Sequence, residues 1–183
     1  MNENLLVGIL GDRKSGKSYT WNALFNKREV KTGKNLRRLY LNDFEYVNIF
    51  LINGSAEIRK KSVAQIITVD KPRIILCSLQ YVKDVTKTIN YFERNNYFLY
   101  LHWLNPGYND EHDSPLFFHL GIINKIMEKE RSMVGVRNAK LDINARVKEI
   151  SDFIYGWAKG NDLLIVDEWR KRRKEAVAVG SKD

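Results

Sequence analysis

The sequence predicts an α/β fold: a mainly parallel sheet with helices on both faces and one antiparallel hairpin strand. Two observations predict it. Short apolar runs alternate along the chain with segments of helical periodicity, the order that buries parallel strands under crossover helices. Apolar residues make up 44% of the 183 residues, with only 3 Pro and 11 Gly, so the chain can bury a core and is neither disordered nor collagen-like.

Leu5 to Leu10 is an apolar run ending at Gly11 and reads as a buried strand, with Ser18 to Asn26 following as a helix. Arg37 to Leu41 and Tyr46 to Ile52 are β-rich and joined by Asn42-Asp43-Phe44-Glu45, which predicts an antiparallel hairpin. Ser55 to Ile67 reads as one helix, and Ile74 to Leu79 as a strand entered from Pro72. Val82, Val85, Ile89 and Phe92 mark a narrow apolar helix face. Tyr97 to Leu104 is a strand closed by the turn Asn105-Pro106-Gly107, and Leu116 to Glu130 a buried helix. Arg131 to Asp142 lacks periodicity and reads as a loop or short strand. A long helix carries Ile143, Val147, Ile150, Ile154 and Trp157 on one face, with Asp142 as N-cap and Gly160 as its stop. Leu163 to Val166 is the last strand, expected in the middle of the parallel sheet. No repeat or linker divides the chain, so residues 1–168 are expected as one domain and 169–183 as a basic C-terminal tail.

The single Cys77, in an apolar run, excludes an internal disulfide and reads as a core residue; His102, His112 and His119 show no metal-ligand spacing. No apolar run approaches the roughly 18 to 20 residues of a membrane helix, and Met1-Asn2-Glu3-Asn4 lacks a basic signal region, so the expectation is cytoplasmic with no membrane span. The formal charge of +9 favours anionic partners. Its basic residues concentrate in Lys27 to Arg38 and Trp169 to Lys174, runs that suit nucleic acid, an acidic protein partner or plain solvation. Tyr108 to Asp113 is an acidic loop, either solvent-facing or a lid.

Gly11-Asp12-Arg13-Lys14-Ser15-Gly16-Lys17-Ser18 is a complete G-x-x-x-x-G-K-[ST] match, followed by Tyr19. It stands between a predicted strand and a predicted helix. There, glycine permits backbone conformations that turn successive N–H groups onto phosphates at a helix N-terminus. Residues 11 to 19 are thus the candidate contacts for a nucleoside triphosphate, with Lys17 reaching the β- and γ-phosphates and Ser18 a ligand of Mg²⁺.

Through these eight residues the sequence resembles the P-loop NTPase superfamily. Ser15-Gly16-Lys17-Ser18, followed by Asn22-Ala23-Leu24-Phe25, is similar to the opening of many GTPases, and Thr32 sits where a switch threonine would stand. The GTPase likeness stops there: Leu51 replaces the aspartate of D-x-x-G before Gly54, and Asn105-Pro106-Gly107-Tyr108 stands in place of N-K-x-D, leaving ATP or GTP open. Leu163-Leu164-Ile165-Val166-Asp167-Glu168 resembles a Walker B segment. That resemblance implies Asp167 as a second Mg²⁺ ligand and Glu168, with Lys17, as catalytic. Asp70 is the rival acid. The implied activity is a Mg²⁺-dependent NTPase working as a switch or coupled to a partner or oligomer. The alternatives are a small-molecule or nucleotide kinase, with Arg131 and Arg137 over the transferred phosphate, and a non-hydrolysing nucleotide-binding interaction module.

Overall fold

A computed structural model describes residues 3–111 and 120–180. The chain folds as an α/β layer structure around a seven-stranded sheet. The first strand, β1 (Asn4–Gly11), leads through a loop into α1 (Lys17–Leu24). β2 (Arg37–Tyr40) and β3 (Glu45–Ile52) form the antiparallel hairpin, its turn tied by Asn42, whose Oδ1 accepts from the backbone N–H groups of Phe44 and Glu45. Two one-turn helices follow, α2 (Ala56–Arg59) and α3 (Val63–Ile66). The single helix expected over 55–67 is broken because Lys60 turns left-handed at φ 52° and Ser62 starts a new helix with its own capping box to Gln65.

β4 (Ile74–Gln80), α4 (Val85–Arg94) and β5 (Tyr97–Leu104) come next. Val82 precedes α4 and is exposed, so the apolar face of that helix starts one turn later than its spacing suggests. Of the helix expected over 116–130 the structure places α5 at Ile122–Met127, while residues 116–119 lie outside the described residues, as do His112, Asp113 and His119. β6 (Ser132–Arg137) is a strand parallel to β5, settling the choice left open for 131–142. In α6 (Ile143–Gly160) Asp142 caps the helix by accepting from the Asn144 N–H. β7 (Ile165–Val166) and α7 (Glu168–Gly180) end the described chain.

The strand order is β2-β3-β4-β1-β5-β6, with β3, β4, β1, β5 and β6 parallel. All seven residues of β4 and the last seven of β1 are buried, as strands covered on both faces must be. One core, including Leu6, Leu10, Phe50, Ile75, Phe92 and Ile126, fills the side under α2 to α5; the other, including Leu5, Val7, Trp21, Leu76, Ile150 and Ile154, lies under α1 and α6. Buried Cys77 belongs to the first. Because the five strands run the same way, their carboxyl ends present Asn53, Gln80, Gly11, Asn105 and Asn138 along one edge.

The last strand departs from its expected place. β7 has two residues and pairs antiparallel with the beginning of β3, Val166 opposite Glu45 and Ile165 opposite Tyr46. Both are more than one-third exposed, because the pairing lies at the sheet's margin and not in its middle. The residues expected as a basic tail continue as α7, held to the hairpin by a Lys174–Asp43 ion pair and by the Arg170 guanidinium over the Tyr40 ring. Among the described residues no helix is long and apolar enough to cross a membrane.

Candidate functional site

Residues 11 to 18 form a tight turn between β1 and α1, and two of its glycines are required by geometry. A side chain at Gly11 would overlap Ser15, and Gly16 sits at φ 99°, a left-handed conformation that costs other residues about 1–2 kcal/mol. Lys14 adopts φ 61° as well, so the loop reverses twice in three residues. The turn is wedged from outside by the 105–110 segment, where the Tyr108 N–H donates to the Ser15 carbonyl and the Gly107 N–H to Asp110 Oδ2.

Lys17 is buried at the first turn of α1, and its ammonium group folds back into the loop. It donates to the carbonyls of Gly11 at 2.8 Å and Asp12 at 2.5 Å, and to Gln80 Oε1 at 3.2 Å. Burial lowers its pKa from 10.5 to about 8, against the raising influence of Asp12 and Glu57. The cation is therefore stored in the loop with neutral partners nearest it, free to exchange them for stronger anionic acceptors.

Ser18, exposed beside it, donates its hydroxyl to Asn53 Oδ1 at 2.8 Å. Asn53 is a hub: its Nδ2 donates to the Val30 carbonyl, while its own carbonyl accepts from Thr32 Oγ1 and the Arg59 guanidinium. A hydrogen-bonded path thus runs from the head of α1 to the loop between α1 and β2. Thr32 lies two links from Ser18. Next to this path, Ser55 Oγ is fully buried with no hydrogen-bond partner among the described residues and lines a cavity of about 200 Å³ with residues 13 to 19, Gly54 and Gln80. An unsatisfied buried hydroxyl is costly unless a ligand oxygen or water completes it.

The acids named from the sequence are not brought here. Asp167 accepts from Tyr40 Oη at 2.6 Å and caps α7 at the Arg170 N–H, at the beginning of β3. Asn53 follows the other end of that eight-residue strand, about 25 Å away at 3.3 Å per residue. Asp167 is thus no companion of Ser18, and Glu168, beginning α7, is equally remote; the Walker B resemblance fails on strand direction. The Asp167 carboxyl is held below the usual Asp range by the Tyr40 bond and then the Arg170 backbone bond, a structural role. Asp70 lies in the turn before β4, also at the strand-start edge.

The arginines considered for a kinase are engaged elsewhere too. Arg131 pairs with Glu3 before β1, and Arg137 pairs with Glu149 on α6. Glu149 belongs to a cluster with Tyr100 and fully buried His102, whose pKa burial depresses to about 4, so this imidazole is neutral at pH 7.

Asn53, Ser55, Glu57, Arg59 and Gln80 gather at the loop without having been singled out in the sequence. Glu57 accepts from the Gln80 N–H and from Thr88 Oγ1, which places a carboxylate against the strand end that holds Lys17. The visible signal was a polar residue directly after each apolar strand, Asn53 after β3 and Gln80 closing β4.

The donors at Ser18 and Asn53 are neutral oxygens, and the described residues contain no group of three or more His, Cys, Asp or Glu able to hold a metal. Mg²⁺ binds readily through few protein groups when phosphate oxygens and water complete its shell. The residues therefore fit a magnesium ion delivered with a polyphosphate and not one held by protein alone. Comparisons of the chain with protein-family models, curated proteins and solved structures found no match.

Proposed function

We propose that this chain binds a nucleoside triphosphate, ATP or GTP, at the Gly11–Ser18 loop and passes the state of that site to the 25–36 loop, acting as a nucleotide-dependent interaction module. The observation that carries the reading is the hydrogen-bonded path from Ser18, next to Lys17 in the loop, through Asn53 to Val30 and Thr32. Phosphate oxygens would take Lys17 from the Gly11 and Asp12 carbonyls, a charge-assisted bond replacing neutral ones. Ser18 is the residue that would hold an accompanying Mg²⁺, which supplies charge neutralisation. Mg²⁺ bound through a lone pair of the Ser18 oxygen would leave the O–H donating to Asn53, whereas a phosphate oxygen that accepts that O–H would compete with Asn53 and loosen the anchor of Val30.

Hydrolysis is the second reading, favoured by Glu57. Its carboxylate acts on Lys17 electrostatically, after Asp12 of the loop itself, and holds the Gln80 N–H, so it is the acid outside the loop that is placed to influence chemistry there. The same bonds keep it occupied, which is why binding without rapid turnover is the preferred reading.

Calorimetry with ATP, GTP, CTP and UTP, each with and without Mg²⁺, tests the proposal together with phosphate release. At least one triphosphate binds, and Lys17→Ala weakens it more than tenfold. Equal affinity in wild type and Lys17→Ala refutes the loop as the site. Rapid phosphate release abolished by Glu57→Gln would select the hydrolytic reading, and transfer to an added acceptor the kinase.

A further inference from the structure

A second cavity, about 480 Å³, opens on the other side of Ser18 and shares Ser18 and Gly54 with the loop cavity. Its wall carries Lys31, Lys34, Arg59 and Lys61 against one acid, Glu29. Lys31 and Glu29 pair with each other at 3.4 Å, which leaves three cations uncompensated around the opening. The side chains of Lys34 and Lys61 make no hydrogen bond or ion pair among the described residues.

Arg59 is the fixed member of the set. Its Nη2 donates to Thr32 Oγ1 at 2.8 Å and to the Asn53 carbonyl, neutral acceptors that orient the guanidinium without neutralising it. Gly54, at φ 91°, permits this seat, since a Cβ there would lie 3.0 Å from Nη2. No carboxylate pairs with Arg59 among the described residues. An oriented guanidinium with two exposed ammonium groups is the donor set that suits a phosphate dianion, planar fork plus point charges. Like charges gathered around a concavity also focus a positive potential into it.

We propose that this cavity is a second anion site, binding the phosphate group of a small phosphomonoester beside the triphosphate and independently of it. Because Arg59 also bonds Thr32 and Asn53, occupancy stiffens the 25–36 loop from the side opposite the triphosphate.

The test is a ¹⁵N–¹H NMR titration of the full chain with inorganic phosphate, then with phenyl phosphate. It is run on wild type and on Lys17→Ala, which weakens the first site. Saturable shifts at Thr32, Gly33, Gly54 and the Arg59 Nε–H are expected in both proteins. Arg59→Gln should weaken them at least tenfold. Since Arg59 also supports the loop, Lys34→Gln/Lys61→Gln serves as a second variant that leaves every hydrogen bond described above intact; it should weaken them about fivefold. Shifts confined to residues 11–18, or undiminished in both variants, overturn the proposal. ATP that shifts Gly33 and the Arg59 Nε–H and prevents phosphate from doing so would also overturn it, by making the cavity part of the triphosphate's own site. Cavity shifts in a protein that binds no triphosphate would leave this site standing and refute only the nucleotide reading.

Discussion

If the Gly11–Ser18 loop binds a nucleotide as proposed, Lys17 should make that affinity a function of pH in a range where few other groups titrate. In the free protein burial holds its pKa near 8, so at pH 9.5 only about one molecule in 30 carries the charge. Contact with phosphate oxygens favours the charged form and returns the pKa toward or above 10.5. Affinity for ATP should therefore fall about 30-fold between pH 7 and pH 9.5, close to 2 kcal/mol. The assay is calorimetry in paired buffers of different ionisation enthalpy, where proton uptake rises from near zero at pH 7 to nearly one at pH 9.5. Lys17→Arg, which stays charged throughout, should bind with a flat profile. The same depressed pKa means that the unfolded chain binds more protons between about 8 and 10.5. Burying Lys17 thus costs stability below pH 8, and the cost fades as pH rises through that window. Constant affinity with no proton uptake would refute the assignment of Lys17 to the phosphate.

Asp167→Asn and Glu168→Gln should leave triphosphate affinity and its Mg²⁺ dependence unchanged, measured by calorimetry, because both residues stand at the far edge of the sheet. Asp167→Asn should instead lower the melting temperature. Since its carboxyl is held below the usual range, the contribution it makes is present at neutral pH and lost as pH falls through the folded-state value. Gly16→Ala should cost about 1–2 kcal/mol in denaturant unfolding, from backbone strain alone, as its Cβ would meet nothing closer than 3.7 Å; Gly11→Ala, which drives a Cβ into Ser15, should cost more. Ile154→Ala, fully buried under the sheet, should lose about 2–5 kcal/mol while the loop keeps its ligand.

The strands and the long helix were legible because their signals are local. The runs Leu5–Leu10, Ile74–Leu79 and Tyr97–Leu104 are apolar but for Gly8, Ser78 and His102, and Asp142 and Gly160 mark the two ends of α6. The direction of a two-residue strand is not local. Nothing within Leu163–Val166 records that it pairs with Glu45 and Tyr46, and that pairing alone carries Asp167 away from the loop. In the site, Gly11, Gly16, Lys17 and Ser18 form one contiguous motif and could be read from the sequence. Asn53, Arg59 and Gln80 come from separate segments, joined to the motif only when β3 and β4 align beside β1. The break at Lys60, which places Arg59 at a helix end, shows no glycine or proline to betray it.

A backbone-amide NMR titration of the ¹⁵N-labelled chain with ATP and with GTP, each with Mg²⁺, locates the ligand residue by residue. The largest shifts should fall on residues 11–20, with smaller ones at Asn53, Gln80, Val30 and Thr32, and in Lys17→Ala all should need more than ten times the ligand to reach half their size. Absence of shifts at millimolar triphosphate, or shifts centred on α7 and the hairpin that survive in Lys17→Ala, would contradict nucleotide binding at the Gly11–Ser18 loop.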